Sequence, residues 1–280
     1  MHRTTNRWQR LIHPLKRIQR FARKPLREKL VALRARSWHL QKLGTPFIPY
    51  SGCRAGCLLR DAGERLTSYE RTRRVWIDVG AHLGEMTFAP ARLDSKLTVF
   101  AFEPNLAVAV KRLGLIANFV VLPMAVGEED GCRPFYVNQH DAASSLLPFD
   151  QEGLRRWIGG EQLNVERTVS VSAIRLDTFM ELMRIPRIDF LKIDAQGADL
   201  AVVRSAGSRL EDIDSITLEV AITPVQLYTG ATSKELVVGF LQERDFELVR
   251  TVRQTFDQEE NLTFVRKPLR DVLVPGRDIP

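Results

Sequence analysis

Apolar and polar positions alternate in two different rhythms, which meet near residue 75. In the first stretch Trp8, Leu11, Ile12, Leu15, Ile18 and Ala22 recur at helical spacing with Arg and Lys between them. Pro14 either kinks this helix or begins its better part, and Pro25 stops it. A second helical stretch over 26–43 carries Leu26, Leu30, Leu33 and Leu40. Residues 44–74, with Gly44, Pro46, Pro49, Gly52 and Gly56, read as a connecting segment with some short strand.

From Val75 onward short apolar runs ending in polar or glycine residues alternate with helical patterns. VWIDVG (75–80), LTVFAFEP (97–104) and FVVLPMAV (119–126) read as three buried strands. Between them, residues 83–93 predict one helix. Residues 105–117 predict another, with Leu106, Val110, Leu113 and Ile116 on its buried face. CRPFYV (132–137) reads as an added strand. Residues 138–167 are polar and irregular, with a short helix near Glu152–Ile158. SVSAIRLDTFMELM begins in alternation and turns helical near Asp177. IDFLKID (188–194) and SITLEVAI (215–222) are further strands, with helices over 198–210 and 233–244. FELVRTV and LTFVRK form a closing antiparallel pair. This alternation predicts an α/β fold with a Rossmann-like, mostly parallel sheet over 75–267, a basic helical arm over 1–43 and a tail over 268–280.

Composition adds four constraints. Apolar residues make up 44% and charged residues 27%, as in an ordinary globular protein. No apolar run approaches the roughly 20 residues of a membrane span, and the basic start lacks the apolar stretch of a secretory signal. These features predict a cytoplasmic protein. Cys53, Cys57 and Cys132 form neither a disulfide framework nor a zinc-ligand set, and no metal site is expected. The net charge of +7 is uneven: residues 1–36 hold twelve Lys or Arg against Glu28 alone, which leaves about −4 for the remainder. A basic amphipathic arm suits an anionic surface, either a membrane to which the protein binds peripherally or nucleic acid. Packing of its apolar stripe on the body or on another subunit is the plainer alternative.

The densest chemistry begins at Ile77-Asp78-Val79-Gly80-Ala81-His82-Leu83-Gly84. A strand ends, two glycines stand four apart, and a helical pattern begins. Gly80 permits a tight turn and lets backbone approach a ligand. Asp78 sits at the strand's carboxyl end, within reach of a ligand ammonium. His82 occupies the place of the middle glycine of a dinucleotide fingerprint, which argues against a nicotinamide dehydrogenase. The next strand ends in Glu103-Pro104-Asn105, an acid placed one βα unit later, where a carboxylate can accept hydrogen bonds from ribose hydroxyls. Residues 121–127, including Ala125, end the third strand and are expected to line an adenine.

A third cluster, Ile188-Asp189-Phe190-Leu191-Lys192-Ile193-Asp194-Ala195-Gln196-Gly197-Ala198-Asp199, again ends a strand in polar residues. The period of two puts Lys192 and Asp194 on one side. Glu219 lies inside a buried strand, which is costly unless it is paired or functional; Lys192 is a candidate partner.

The strings IDVGAHLG, FAFEPN, RLDTF and IDFLKIDAQGADL, together with His140-Asp141-Ala142-Ala143-Ser144-Ser145-Leu146, resemble the FkbM-type methyltransferase family over about 75–250. The resemblance implies a class I fold, S-adenosylmethionine as cofactor, and methylation of oxygen on sugars, glycans or other small natural products. Gln196 stands where that family usually shows an acid, and Asp199 where it shows a glutamate. The resemblance and the motifs together place Asp78, Gly80, Ala81, His82, Gly84, Glu103, Pro104, Asn105 and Ala125 around the donor. Methyl transfer to an alcohol needs a proton acceptor. Asp194 is the first candidate, and His140 and Asp141 on the irregular insert are the next. An RNA methyltransferase holding phosphates with its arm, and a non-catalytic interaction protein retaining the fold, are the competing readings.

Overall fold

The computed structural model describes residues 74–267. The expected arm (1–43), nearly all of the connecting segment (44–74), the tail (268–280), Cys53 and Cys57 lie outside the described residues. Cys132 is an exposed thiol.

Seven strands form the main sheet. They are β1 (Arg74–Val79), β2 (Leu97–Phe102), β3 (Phe119–Leu122), β7 (Phe190–Ile193), β8 (Ser215–Ala221), β9 (Phe246–Gln254) and β10 (Glu259–Arg266). Their order is β3-β2-β1-β7-β8-β10-β9. All neighbours are parallel except β10, which runs antiparallel to β8 and β9. The expected mostly parallel sheet with an antiparallel closing pair is what forms. Both faces of its parallel half are apolar. Ile77, Val79, Phe100 and Phe102 point one way into the larger core, while Trp76, Val99, Ala101 and Phe119 point the other way into a second core. Alternation by two sends consecutive apolar residues to opposite faces, so continuous apolar strands demand a layer on each side.

Among the described residues there are six α-helices: α1 (Phe88–Leu93), α2 (Leu106–Ala109), α3 (Gln151–Arg156), α4 (Leu176–Leu182), α5 (Asp199–Arg204) and α6 (Lys234–Gln242). Phe179 of α4 is fully buried and meets Phe100 and Phe102 edge-on, with ring centres 5.2 and 4.8 Å apart. Such T-shaped contacts add to the burial of the rings.

Three expectations change. The first helix begins at Phe88 rather than at residue 83, because residues 82–87 form successive turns. The helix expected over 105–117 is regular only over α2, and most of its predicted inner row faces outward: Leu106, Val110 and Leu113 are 62%, 53% and 58% exposed, and only Ile116 of that row packs on the second core. Val108 and Ala109 are buried instead. The Arg112 guanidinium packs over Phe88 and donates to the Leu83 carbonyl, which fixes that rotation. The third strand breaks at Pro123, whose missing N–H cannot continue a ladder. Its second half becomes β4 (Ala125–Val126), which pairs in a separate three-stranded sheet with β6 (Val165–Ile174) and β5 (Gly131–Asn138) in the order β4-β6-β5.

Phe179→Ala is expected to cost about 3–5 kcal/mol, the usual penalty for emptying a buried aromatic site. Urea denaturation checks this, and a loss below about 1 kcal/mol would mean that α4 does not anchor the core.

Candidate functional site

The winding of the main sheet reverses between β1 and β7. From that seam β1-β2-β3 run one way and β7-β8 the other. Strand ends part at such a switch point and leave a crevice at their carboxyl tips. The seam's register sets Asp78 directly opposite Lys192. Lys192 Nζ lies 3.1 Å from Asp78 Oδ1 and 3.5 Å from Asp194 Oδ2, and it donates to the Gly80 carbonyl at 2.8 Å. Thr87 donates to Asp78 Oδ2 at 2.5 Å. Burial alone would lower the Lys192 pKa, but the two carboxylates outweigh it and hold the ammonium above its usual range. Burial also pushes Asp78 upward, against the opposing pull of Lys192 and Thr87. The partner of Lys192 is therefore Asp78, not Glu219.

Gly80 turns with φ +66°, and a Cβ there would overlap the Asp194 carbonyl. The space a side chain would fill at this glycine is thus taken by the neighbouring strand end, while Gly80 itself still lines the crevice. The Ala81 amide donates to Phe102. The His82 amide donates to Glu103 Oε2 at 2.8 Å, and the Asn105 amide donates to Glu103 Oε1, also at 2.8 Å. Glu103, 7% exposed, is thereby fixed at the tip of β2 beside the glycine turn. Burial raises its pKa against these bonds. Each oxygen still has acceptor capacity for a second donor.

The crevice encloses about 300 Å³. Met124, Ala125, Val126, Phe102, Phe135 and Leu146 give it an apolar wall, and Glu103 and Pro104 close one end. The opposite end holds Asp194, Gln196, Thr217, Glu219, Gln254 and Asn261. Asp141, Ala142, Ser144, Ser145 and Leu146 line it from the insert, which is tied to both ends. His82 Nε2 lies 3.1 Å from Asp141 Oδ1, and His82 Nδ1 lies 2.7 Å from Glu85 Oε1. Ser145 Oγ donates to the Gln196 carbonyl at 2.8 Å. Ser144 Oγ accepts from the Asn138 amide and shapes the same segment. Asp199, 4% exposed, accepts from the Ala195 and Gly197 amides and so closes the turn after β7. Burial and the nearby Asp194 raise Asp199 to about 7. Burial, then Asp194, raise Glu219 to about 9.

Of the residues singled out in the sequence, Gly80, His82, Glu103, Pro104, Ala125, Asp141 and Asp194 line the crevice. Asp78, Ala81, Gly84 and Asn105 stand behind its wall. Gly84 (φ +68°) faces Phe119 and Phe88, and Asn105 caps α2. His140 is exposed and not among the lining residues. Thr217, Gln254 and Asn261 were not singled out. They belong to β8, β9 and β10: Thr217 pairs with Lys192 across the parallel β7–β8 ladder, Gln254 ends β9, and the antiparallel β10 starts at the same rim and brings Asn261 opposite Glu219. The alternation Thr217–Glu219 on one face of β8 was the available sign. Among the described residues no group of three or more His, Cys, Asp or Glu side chains is placed to hold a metal ion.

Residues 78–248 match the family described as the methyltransferase FkbM domain. Solved structures similar to this chain include magnesium protoporphyrin IX methyltransferase from Synechocystis PCC 6803 (TM-score 0.37, 11% identity, covering 75% of this chain and 78% of that one). Another is 1,6-didemethyltoxoflavin-N1-methyltransferase from Burkholderia thailandensis (TM-score 0.32, 15% identity, covering 86% and 87%). No curated protein matches the chain.

Two outcomes follow from the seam and the insert. Lys192→Met leaves Asp78 buried without its cation and is expected to cost about 3–5 kcal/mol, whereas Lys192→Met combined with Asp78→Leu recovers most of that loss. Chemical denaturation of the three proteins checks it, and equal losses in the single and double variants would show that the pair is not the source. His82 loses some stability of its charged form to burial, but the hydrogen bonds to Glu85 and Asp141 outweigh this and lift its pKa above the usual 6.5. A folded-state pKa above the unfolded one stabilises fully below about pH 6.5 and less as pH rises through the folded value. The melting temperature should fall across that window in the wild type, and His82→Gln should lack this step. Parallel pH profiles for the two would contradict it.

Proposed function

The chain belongs to the FkbM methyltransferase family, and from that premise we propose that it transfers the methyl group of S-adenosylmethionine to a hydroxyl oxygen of a sugar, glycan or other small natural-product acceptor. The observation carrying this reading is the fixed Glu103 carboxylate. Two backbone amides aim it at the crevice, beside a glycine turn, with acceptor capacity left for vicinal hydroxyls. The wall of Met124, Ala125, Val126 and Phe102 suits a flat base. S-adenosylmethionine bound there supplies a methyl group already activated on sulfur.

The protein's own task is then positioning and one proton. Asp194 accepts the hydroxyl proton. Lys192 and Gln196 hold its two oxygens, at 3.5 and 2.6 Å. Asp141 lines the crevice beside the donor end and serves through His82 as a tether rather than as a base. The insert over 141–146 limits water entry. The lining favours an uncharged acceptor over a phosphodiester: Glu85, Glu103, Asp141 and Asp194 face the crevice against Lys192 and His82. The basic excess within residues 1–36 supports a peripheral contact with an anionic membrane surface. Among the described residues no helix is long and apolar enough to cross a membrane.

Titration calorimetry with S-adenosylhomocysteine should show binding that Glu103→Ala weakens about 10²-fold, the loss expected for two hydrogen bonds to a charged group. Asp194→Asn should keep that affinity and abolish donor turnover with glycan or small-molecule fractions. Absent binding by the wild type would end the methyltransferase reading, and turnover with RNA alone would replace the acceptor class.

A further inference from the structure

Gln196 occupies a constrained place in the turn after β7. Its backbone is left-handed (φ +51°), and its carbonyl accepts from Ser145 Oγ at 2.8 Å. Its side-chain amide reaches two carboxylates, with Nε2 lying 2.6 Å from Asp194 Oδ1 and 3.4 Å from Glu219 Oε2. On the other side Oε1 accepts from the Tyr228 hydroxyl at 2.8 Å, and that hydroxyl also lies 3.0 Å from the Ala143 carbonyl. Tyr228 is 4% exposed, stacks on Phe149 and packs against Gly197, where a Cβ would press its ring.

The chemistry of these partners orients the amide. An ionised carboxylate only accepts, and a phenol donates one proton. The NH₂ group must therefore face Asp194, and this turns the carbonyl toward the Tyr228 hydroxyl, whose one proton is shared with the Ala143 carbonyl. The reversed amide would set an oxygen 2.6 Å from Asp194 with no proton between them. A neutral double donor supports negative charge on Asp194 without adding a third charge to the cluster.

We propose that Gln196 is a positioning residue: its amide, oriented by the Tyr228 hydroxyl, fixes the Asp194 carboxylate for proton acceptance and keeps Glu219 from competing for that task. Burial, with Asp194 nearby, raises Glu219 to about 9, so Glu219 is protonated at neutral pH and is no proton acceptor there. The role depends on the reading of Asp194 as proton acceptor.

The test uses the full chain with ¹³C-labelled Asp and Glu carboxyls and ¹⁵N-labelled Gln. Asp194→Asn assigns the Asp194 carboxyl signal and Gln196→Leu assigns the Gln196 amide. Gln196→Glu, nearly isosteric, places a like charge beside Asp194 and should raise its titration midpoint by about one pH unit. Tyr228→Phe should shift the Gln196 amide signals and move the same Asp194 midpoint. In a Gln196→Leu background, Tyr228→Phe should produce no further movement, since the two residues act as one unit. An Asp194 midpoint unchanged by both Gln196→Glu and Tyr228→Phe overturns the role. If Tyr228→Phe does not fold, Gln196→Glu still decides. The underlying reading fails separately, and visibly, if the wild type does not bind S-adenosylhomocysteine or if Asp194→Asn retains turnover.

Discussion

A single buried ion pair carries the architecture of the site. Lys192 and Asp78 face each other across the seam where the sheet reverses its winding, and the ammonium continues to the Gly80 carbonyl and the Asp194 carboxylate. Two strand ends that would otherwise part are tied at their polar tips. The cost of removing these charges from water is offset only while all the partners are present. The glycine turn and the turn after β7 are thereby set at a fixed separation. The Asp194 amide also donates to the Val79 carbonyl at 2.9 Å, and the Asp194 carbonyl comes so close to Gly80 that glycine is the fitting residue there.

From that seam the crevice divides by chemistry. On the β2 side, Glu103 is immobilised by backbone amides beside apolar residues of the segment after β3. On the β7–β8 side, Asp194, Gln196 and Glu219 form a network in which one amide serves two carboxylates. The two halves share a cover. Asp141 meets His82 on the donor side, and Ser145 meets Gln196 on the other. The small sheet of β4, β5 and β6 holds this cover, since its strand β5 leads directly into it.

Much of the fold was legible in the chain. Short apolar runs ending in Gly80, Glu103 and Asp194 marked strand tips at one rim, and their spacing marked βαβ units. The failures were of orientation and partnership. The row Leu106–Val110–Leu113 keeps helical spacing but faces outward, because Arg112 anchors the opposite rotation on Phe88. Periodicity identifies a face without saying which side meets the sheet. Lys192 could be assigned to a carboxylate, but the choice between Glu219 and Asp78 required the parallel register of β1 and β7. Gly84 and Asn105 kept their motif positions yet serve packing and capping behind the wall.

The amino-acid sequence by itself determined the class of fold, the strand tips that carry chemistry and the family, because these follow from local period and from residues adjacent in the chain. The tertiary structure alone decided which distant side chains meet: Lys192 with Asp78, His82 with Asp141, Gln196 with Tyr228. Those pairings depend on strand order, register and the path of an irregular insert. Each of these is set by packing of the whole core, and none leaves a repeat in the linear pattern.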